Sequence, residues 1–206
     1  MPESDPDISR QTLEHYEQGA ARFWEGTKDH DVSQNIAAML RHVSGQAPAR
    51  ILDFGCGPGR DLLTLRGLGH EAVGLEGCAS FVAMARAHSG CEVLQQDFLS
   101  LDLPSDHFDA VFANASLFHV PSRDIRHVLK ALAASLKPAG VLFSSNPRGR
   151  DEEGWQGNRY CVWHSEDRWR ELMVSCGYVE LEHYYRPDGL PRDQQSWFAS
   201  VWRKSR

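Results

Sequence analysis

The chain has 206 residues, of which 41% are hydrophobic and 24% are charged, and its formal net charge is −6. This composition is typical of a soluble globular protein, and the length suits one domain whose sheet is covered by helices on both faces. No apolar run approaches the ~18 residues of a membrane span, and the acidic chain has no Lys/Arg-rich run of the kind that binds nucleic acid phosphates.

The N-terminal part predicts two amphipathic helices. Residues 1–7 are acidic and polar, which argues against a signal peptide and indicates a short disordered lead-in. The first helix has one apolar face, formed by Leu13, Tyr16, Ala20, Phe23 and Trp24. After a connector over residues 26–31, the second has Ser33 as its N-cap and an apolar face of Ile36, Met39, Leu40 and Val43. We expect residues 1–48 to form a helical lid and residues 49–206 the core of the same domain.

From residue 50 onwards, short apolar strands alternate with helices. Strands are predicted at 51–54, 72–75, 93–94, 108–113 and 141–143, with helices at 62–65, 81–87 and 125–136. Such alternation favours a parallel sheet with right-handed crossovers. The last third predicts a helix from 165 to 176 and then two consecutive strands, 178–185 and 196–202. We therefore expect an α/β, Rossmann-like fold with a seven-stranded, mostly parallel sheet that ends in an antiparallel β-hairpin.

The turn after the first strand carries the most specific motif. Gly55, Gly57 and Gly59 stand at alternate positions after Asp53, so the backbone can approach a ligand where a Cβ would collide. A dinucleotide-binding fingerprint has the spacing G-x-G-x-x-G, but Arg60 occupies the position of its last glycine. The carboxylate of Asp53 would also repel a pyrophosphate, whereas it suits a ligand that carries an ammonium and a sulfonium group.

Polar or aromatic residues follow each of the next three strands. They are Glu76 and Gly77 after the second strand, Asp97 and Phe98 after the third, and Asn114 and Ala115 after the fourth. A carboxylate at the position of Glu76 can accept both hydroxyls of a ribose, and the carboxyl edge of an open α/β sheet is where ligands bind. Each residue also has a structural interpretation, with Glu76 and Asp97 as solvated loop acids and Phe98 as part of the core.

These motifs resemble the S-adenosylmethionine-binding motifs of class I methyltransferases, over residues 12–203, and the closing hairpin is similar to that family as well. The resemblance implies that Asp53 and the three glycines line the methionine moiety, with Cys56 and Arg60 in the same turn. It implies that Glu76 and Gly77 lie at the ribose and Asp97 with Phe98 at the adenine. It places Asn114 and Ala115 behind the sulfonium. The cofactor implied is S-adenosyl-L-methionine, with S-adenosyl-L-homocysteine as product.

Four further segments resemble the methyltransferase domain of the bifunctional ovothiol-forming synthases, which methylates an imidazole nitrogen of 5-thiohistidine. They are residues 23–27, 29–35, 144–149 and 183–187. The chain lacks the iron-dependent and sulfoxide-forming parts, so it is similar to a free-standing counterpart. The resemblance implies a small histidine-derived substrate, either 5-thiohistidine or 5-selenohistidine.

An amino-acid substrate needs a cationic or amide grip for its carboxylate. Arg148 and Arg186 are the candidate carboxylate partners, Asn35 and Asn146 are candidate amide contacts, and a surface position is the alternative for each arginine. The aromatic candidates for the lid and the substrate pocket are Tyr16, Phe23, Trp24 and Tyr185, for which ordinary helix packing is the alternative at Phe23 and Trp24.

Methyl transfer is an in-line displacement, so the protein mainly aligns the nucleophile, and orientation of this kind supplies up to ~7–11 kcal/mol. A neutral imidazole nitrogen presents its own lone pair and needs no strong base. We predict alignment by Tyr16, His119 and Asn114 without a nucleophile on the enzyme. His119 can orient the substrate, relay a proton or serve only as helix-cap packing.

The five cysteines, Cys56, Cys78, Cys91, Cys161 and Cys176, are scattered and contain no C-x-x-C pair. This pattern favours reduced thiols in a cytoplasmic protein. The run 29–31 (Asp-His-Asp) is not expected to bind a metal, because adjacent residues seldom converge on one ion. Two rival functions stay open: methyl transfer to another small thiol, amine or carboxylate, and a nucleotide-binding oxidoreductase or non-catalytic binding module.

Overall fold

The computed structural model describes residues 5–45 and 48–205. The helices are α1 (Asp5–Thr27), α2 (Ser33–Leu40), α3 (Arg60–Gly67), α4 (Ala79–Ser89), α5 (Ile125–Ser135) and α6 (Glu166–Ser175). The strands are β1 (Arg50–Phe54), β2 (Glu71–Glu76), β3 (Glu92–Gln95), β4 (Phe108–Asn114), β5 (Leu136–Pro147), β6 (Glu152–Gln156), β7 (Arg159–Trp163), β8 (Tyr178–Arg186) and β9 (Trp197–Lys204). Two short 3₁₀ turns lie at Leu117–His119 and Arg192–Gln194.

Seven strands form one sheet in the order β3-β2-β1-β4-β5-β9-β8. The pairs among β1 to β5 are parallel, whereas β9 pairs with β5 and β8 pairs with β9 in antiparallel fashion. The predicted fold class, including the closing hairpin, is therefore confirmed. The strand order reverses between β1 and β4, and ligands of open α/β sheets bind at such a reversal, outside the carboxyl ends of the strands.

Each face of the sheet carries its own apolar core. Helices α5 and α6 pack on one face, where Leu129, Trp169 and Trp202 are buried together. Helices α2, α3 and α4 pack on the other face around residues such as Ile51 and Phe143. Strands buried on both faces read as nearly continuous apolar runs, which explains why the sequence marked them clearly.

The first two helices differ from the prediction at their ends. Helix α1 begins at Asp5, so residues 5–7 are helical and not a disordered lead-in, while residues 1–4 lie outside the described part of the chain. It continues to Thr27, into the predicted connector. Ser33 is the first helical residue of α2 and not its cap; the Asp31 carboxylate accepts the Ser33 N–H at 2.8 Å, as a capping side chain would.

An additional hairpin, β6–β7, was not predicted. It lies between β5 and α6 as a separate two-stranded sheet. Its backbone contacts α1, since the Tyr160 N–H donates to the Thr12 hydroxyl at 3.0 Å.

Among all the described helices, none has the length and apolar character that crossing a membrane requires.

Candidate active site

The glycine turn links β1 to α3 at the strand-order reversal. Gly57 has φ +51° and Gly59 has φ +92°, a left-handed backbone that glycine adopts without strain. A Cβ at Gly59 would lie 2.7 Å from the Ala85 Cα, so this glycine allows α3 to approach α4. A Cβ at Gly57 would meet only the Phe23 ring, at 3.8 Å, and would project into the space between the turn and α1.

A first cavity, with an empty volume of about 720 Å³, lies between the glycine turn and α1. Its wall on the α1 side includes Ile8, Ser9, Thr12, Leu13, Tyr16 and Phe23. From the sheet, Glu76, Gly77, Asp97 and Phe98 line it, as the resemblance implied, together with Gly55, Gly57 and Ala115. The cavity therefore contains the residues expected at a ribose and an adenine, with a helical wall opposite them.

The side chains of this cavity are held in fixed orientations. The Glu76 carboxylate accepts backbone N–H groups of Gly57 at 3.0 Å, Gly77 at 2.8 Å and Cys78 at 2.9 Å. The Asp97 carboxylate accepts the Leu99 N–H at 2.9 Å and is capped by the Ser9 hydroxyl. The Phe98 ring stacks on Phe54 with centroids 4.3 Å apart, which leaves a flat apolar surface at the cavity.

Acidic groups surround the glycine turn. Asp53 is buried, and its Oδ2 has no hydrogen-bond partner in the structure. Burial raises the pKa of Asp53 well above its usual value, and the neighbouring carboxylate of Asp61 raises it further. Burial also raises the pKa of Glu76, although three amide N–H groups act in the opposite direction. A positively charged ligand would relieve this desolvation, whereas a pyrophosphate would add to the repulsion.

Arg60 contributes little free positive charge to the turn. Its guanidinium pairs with Asp61 through two hydrogen bonds, of 2.7 Å and 3.0 Å, and also donates to the Thr27 carbonyl at 2.8 Å.

Burial raises the pKa of the nearby Cys56 thiol well above its usual value, with the Asp53 carboxylate as the next cause. Cys56 is therefore a neutral, unreactive thiol at neutral pH.

A second, more open cavity, of about 1480 Å³, joins the first at Phe23, Gly55, Gly57 and Ala115. The lining residues from the N-terminal segments are Trp24, Thr27, Asp29, His30, Asp31, Val32 and Asn35. Those from the core are Cys56, Pro58, Arg60, Asp61, Asn114, Ser145, Arg186, Pro187 and Trp197. Of the predicted substrate residues, the structure brings Phe23, Trp24, Asn35 and Arg186 to this cavity.

A directional chain of hydrogen bonds runs along the wall of the second cavity. The Asn35 Oδ1 accepts the Tyr184 hydroxyl at 2.8 Å and an Arg186 N–H at 3.2 Å, so the Asn35 Nδ2 must point away from both. It donates to the Asn114 Oδ1 at 2.9 Å, and the Asn114 Nδ2 donates to Asp61 at 3.3 Å. Each amide orientation is thus fixed by its neighbours.

Tyr16 and His119 meet at the first cavity. The His119 Nδ1 lies 2.8 Å from the Tyr160 carbonyl, which only accepts, so Nδ1 carries the hydrogen. The Nε2 therefore accepts the Tyr16 hydroxyl at 2.8 Å. Burial lowers the pKa of His119 to about 4, so the imidazole is neutral and a weak base. This arrangement fits a positioning role for His119 and disfavours the proton relay considered above.

Three predicted substrate residues do not reach either cavity. Arg148 donates to Glu166 at 2.9 Å and to the carbonyls of Arg192 and Gln195 at 3.0 and 2.9 Å, so it fastens the β8–β9 connection to α6. The Tyr185 hydroxyl also donates to Glu166, at 2.7 Å. Asn146 is buried in β5, and neither polar atom of its side chain has a partner in the structure. Arg148, predicted to bind the substrate carboxylate, therefore faces Glu166 and the β8–β9 connection and lines neither cavity.

Several residues of the cavities were not anticipated. Asp61 was not recognised as a site residue in the sequence, because acidic residues are common in the first turn of a helix. Tyr184 stands one residue before Tyr185, and only the strand register decides which of the two faces Asn35. Ser9 lies between the predicted lead-in, residues 1–7, and Leu13, the first residue of the predicted apolar helix face, so its contact with Asp97 had no sequence signal.

Comparison with known proteins agrees with this architecture. Residues 51–140 match the family model described as a methyltransferase domain. A trans-aconitate 2-methyltransferase of Methylobacterium nodulans is 37% identical over 119 residues, 56% of this chain and 45% of that protein. A ubiquinone biosynthesis O-methyltransferase of Pectobacterium atrosepticum is 26% identical over 91% of this chain and 79% of its own length. The chain thus spans about half the length of the first relative.

A solved structure is similar over the whole fold. The 1,6-didemethyltoxoflavin-N1-methyltransferase of Burkholderia thailandensis, crystallised with 1,6-didemethyltoxoflavin and S-adenosylhomocysteine, has a TM-score of 0.82, with 18% identity. The alignment covers 100% of this chain and 93% of that one. With the sheet order and the acid-lined glycine turn, these similarities show that the chain has the Rossmann-like fold of the S-adenosylmethionine-dependent methyltransferases, and that residues 51–140 match a methyltransferase domain.

Proposed function

We propose that the chain transfers a methyl group from S-adenosylmethionine to a ring nitrogen of a small histidine-derived amino acid, of the 5-thiohistidine or 5-selenohistidine type. One observation carries the proposal. The segments that resemble ovothiol-forming methyltransferase domains are far apart in sequence, yet residues from all four line the second cavity: Phe23, Asp31, Ser145 and Arg186. These segments are far apart in the sequence but meet at one cavity, so binding of the same substrate would explain why all four resemble segments of the ovothiol-forming domains.

The residues of the first cavity fit the cofactor. Glu76 and Asp97 offer carboxylate acceptors for a ribose and for an adenine amino group, and Phe98 offers a stacking surface. Asp53 is buried and lines neither cavity, but together with Asp61 it makes the surroundings of the glycine turn acidic, which suits a ligand with a cationic end. When bound, S-adenosylmethionine supplies a methyl group activated by a sulfonium. The bound cofactor would pass beside Gly57, which lines both cavities and has no side chain to obstruct it.

The chain's own residues then have an aligning function. The wall of Asn35 and Asn114 holds amide groups in fixed orientations beside the second cavity, and Tyr16, held by His119, lines the first cavity. The second cavity presents both a cation, Arg186, and acids, Asp29 and Asp31, which together suit a zwitterion. A neutral imidazole nitrogen would attack with its own lone pair as the bond between the methyl group and the sulfonium sulfur breaks, and the imidazolium formed would release its N–H proton to solvent, so no general base on the protein is required. The neutral His119 would then have only a positioning role.

Incubation with S-adenosylmethionine and 5-thiohistidine tests the proposal. We expect a product heavier by one methyl group and an equal amount of S-adenosylhomocysteine, with the new methyl on a ring nitrogen by NMR. Histidine, 5-selenohistidine and trans-aconitate are the comparison acceptors. Methylation of trans-aconitate alone would favour the second candidate, a methyltransferase for small carboxylic acids, which the name of the Methylobacterium relative suggests.

The proposed surroundings follow from the thiols and from the charge. All five cysteines are free in the structure, and free thiols persist in reducing compartments such as the cytoplasm. A small metabolite is the proposed partner, since the net charge of −6 disfavours a nucleic acid acceptor. Tighter calorimetric binding of NAD than of S-adenosylhomocysteine would reject the cofactor assignment and favour the oxidoreductase alternative.

A further inference from the structure

Two arginines line the second cavity, and they differ in how their charge is compensated. Arg60 is paired by two hydrogen bonds with the Asp61 carboxylate. Arg186 instead donates to two neutral acceptors, the Asn35 Oδ1 at 3.2 Å and the Asp31 carbonyl at 3.3 Å. Over residues 5–45 and 48–205, no carboxylate forms an ion pair with Arg186.

The nearest acid does not cancel the charge of Arg186. The Asp31 carboxylate is already used by the Ser33 N–H, and the pKa of Asp31 is lowered mainly by its hydrogen bonds with Ser33 and only in smaller part by Arg186. Two of the five N–H donors of the guanidinium are used by the chain, so a bidentate pair of donors is still available. A half-buried guanidinium whose partners are neutral can bind a carboxylate through its remaining N–H donors.

The neighbours of Arg186 fix the orientation of its guanidinium without pairing its charge with a carboxylate. The Asn35 Oδ1 is fixed toward the guanidinium because the Asn35 Nδ2 is engaged by Asn114, and Tyr184 donates to the same oxygen. Asn35 is only 3% exposed, so its amide is not free to reorient in solvent. Because the acceptors are an amide and a carbonyl, they orient Arg186 without neutralising it.

We propose that Arg186 is the specificity residue that selects a methyl acceptor with a free carboxylate, and that Asn35 and Tyr184 are its positioning residues. This inference rests on the proposed function and adds which group of the acceptor, its carboxylate, the site recognises and which residue recognises it. Arg60, the other arginine of this cavity, is already paired with Asp61, so its charge is compensated and that of Arg186 is available to an acceptor.

Steady-state kinetics with an acceptor pair tests the proposal. The pair is 5-thiohistidine and its decarboxylated analogue 5-thiohistamine, assayed with the wild-type protein, R186Q and N35D. For the wild type, loss of the carboxylate should lower kcat/KM about 10- to 150-fold, the range of a hydrogen bond to a charged group. R186Q should lose the same factor for 5-thiohistidine, mostly in KM, and should treat the two acceptors alike. S-adenosylhomocysteine affinity should stay within about twofold.

N35D is a second test, since it changes one atom of a buried side chain and places a carboxylate beside Arg186. It should lower kcat/KM more for 5-thiohistidine than for 5-thiohistamine, because only the first acceptor carries the carboxylate that competes for Arg186. Y184F should give a smaller loss in the same direction. If N35D fails to fold, R186Q and Y184F still carry the comparison, with circular dichroism confirming their structure.

Several outcomes would overturn the proposal. Equal loss of S-adenosylhomocysteine affinity in R186Q would assign Arg186 to the methionine carboxylate of the cofactor. Equal discrimination between the two acceptors in R186Q and wild type would show that the carboxylate binds elsewhere. If another carboxylic acid, such as trans-aconitate, is the acceptor and depends on Arg186 in the same way, the proposed function fails and this inference stands. An acceptor without a carboxylate, or no calorimetric binding of any of these acids to the S-adenosylhomocysteine-loaded protein, refutes it.

Discussion

Gly57→Ala should separate cofactor binding from folding. At φ +51° an alanine is strained by ~1–2 kcal/mol, but its methyl group would contact only the Phe23 ring at 3.8 Å. At ~2–4 °C per kcal/mol for a domain of this size, we expect a fall in Tm of about 2–8 °C. The same methyl group projects into the cofactor's path, where overpacking costs ~1–3 kcal/mol. S-adenosylhomocysteine should therefore bind about 5- to 150-fold more weakly.

Gly59→Ala is the matched control. A Cβ there would lie 2.7 Å from the Ala85 Cα, which is backbone and cannot move without shifting α4. Strain and overpacking together should cost ~2–5 kcal/mol of folding stability. Because Gly59 lines neither cavity, the folded fraction should keep near-normal cofactor affinity.

Differential scanning calorimetry and titration calorimetry with S-adenosylhomocysteine, well below the lower Tm, measure the two quantities. The prediction is a crossed pattern, with the larger loss of affinity in G57A and the larger loss of stability in G59A. Wild-type affinity in G57A would show that the ligand does not pass the turn at this residue, and the assignment of the glycine motif would be refuted.

Three other predictions concern single groups. Tyr16→Phe removes the hydrogen bond to His119 and should cost ~1–3 kcal/mol of stability by thermal unfolding, while the pH profile of kcat between 6 and 9 keeps its shape, because a histidine with a pKa of about 4 does not titrate there. Burial raises the pKa of both Asp53 and Glu76 in the free protein. A bound ligand with a cation near the glycine turn would lower the pKa of Asp53, and hydroxyl donors of its ribose would lower that of Glu76, so binding should release protons. S-adenosylmethionine affinity should then rise with pH up to the free-protein pKa values and level off above them, and calorimetry in two buffers of different ionisation enthalpy would detect the protons. Arg148→Ala should lower Tm but leave the affinities for cofactor and acceptor unchanged, since Arg148 fastens the β8–β9 connection; a selective loss of acceptor binding would contradict this position.

The sheet could be predicted because its signal is local. Strands such as β4 and β5 are buried on both faces, so their apolar runs are nearly unbroken and the helices between them are periodic. The glycine turn was equally readable, since a left-handed backbone and close helix packing both demand glycine at fixed spacing. The carboxyl ends of neighbouring parallel strands must meet, which placed Glu76 and Asp97 at one cavity.

What could not be predicted depended on long-range contacts. The hairpin β6–β7 has two strands of five residues each. The first is polar and mostly exposed, and the buried residues of the second, Cys161 and Val162, are adjacent, so neither strand has an apolar alternation to reveal it. The sequence alone did not distinguish Arg148 from Arg186 as a carboxylate-binding residue. Only the folded chain shows that Arg148 pairs with Glu166, whereas Arg186 faces amide and carbonyl oxygens. The start of α1 was missed because acidic residues are as common in a first helical turn as in a disordered end.

The two cavities divide unequally between the part of the chain that matches the family model and the part that does not. The matched segment, residues 51–140, supplies the floor of both cavities, from the glycine turn to Asn114. Most of the surface that an acceptor would touch, from Trp24 to Asn35 and again at Arg186 and Trp197, is contributed by flanking segments. Sequence similarity confined to the matched segment therefore reports which methyl donor is used and carries almost no information about what receives the methyl group.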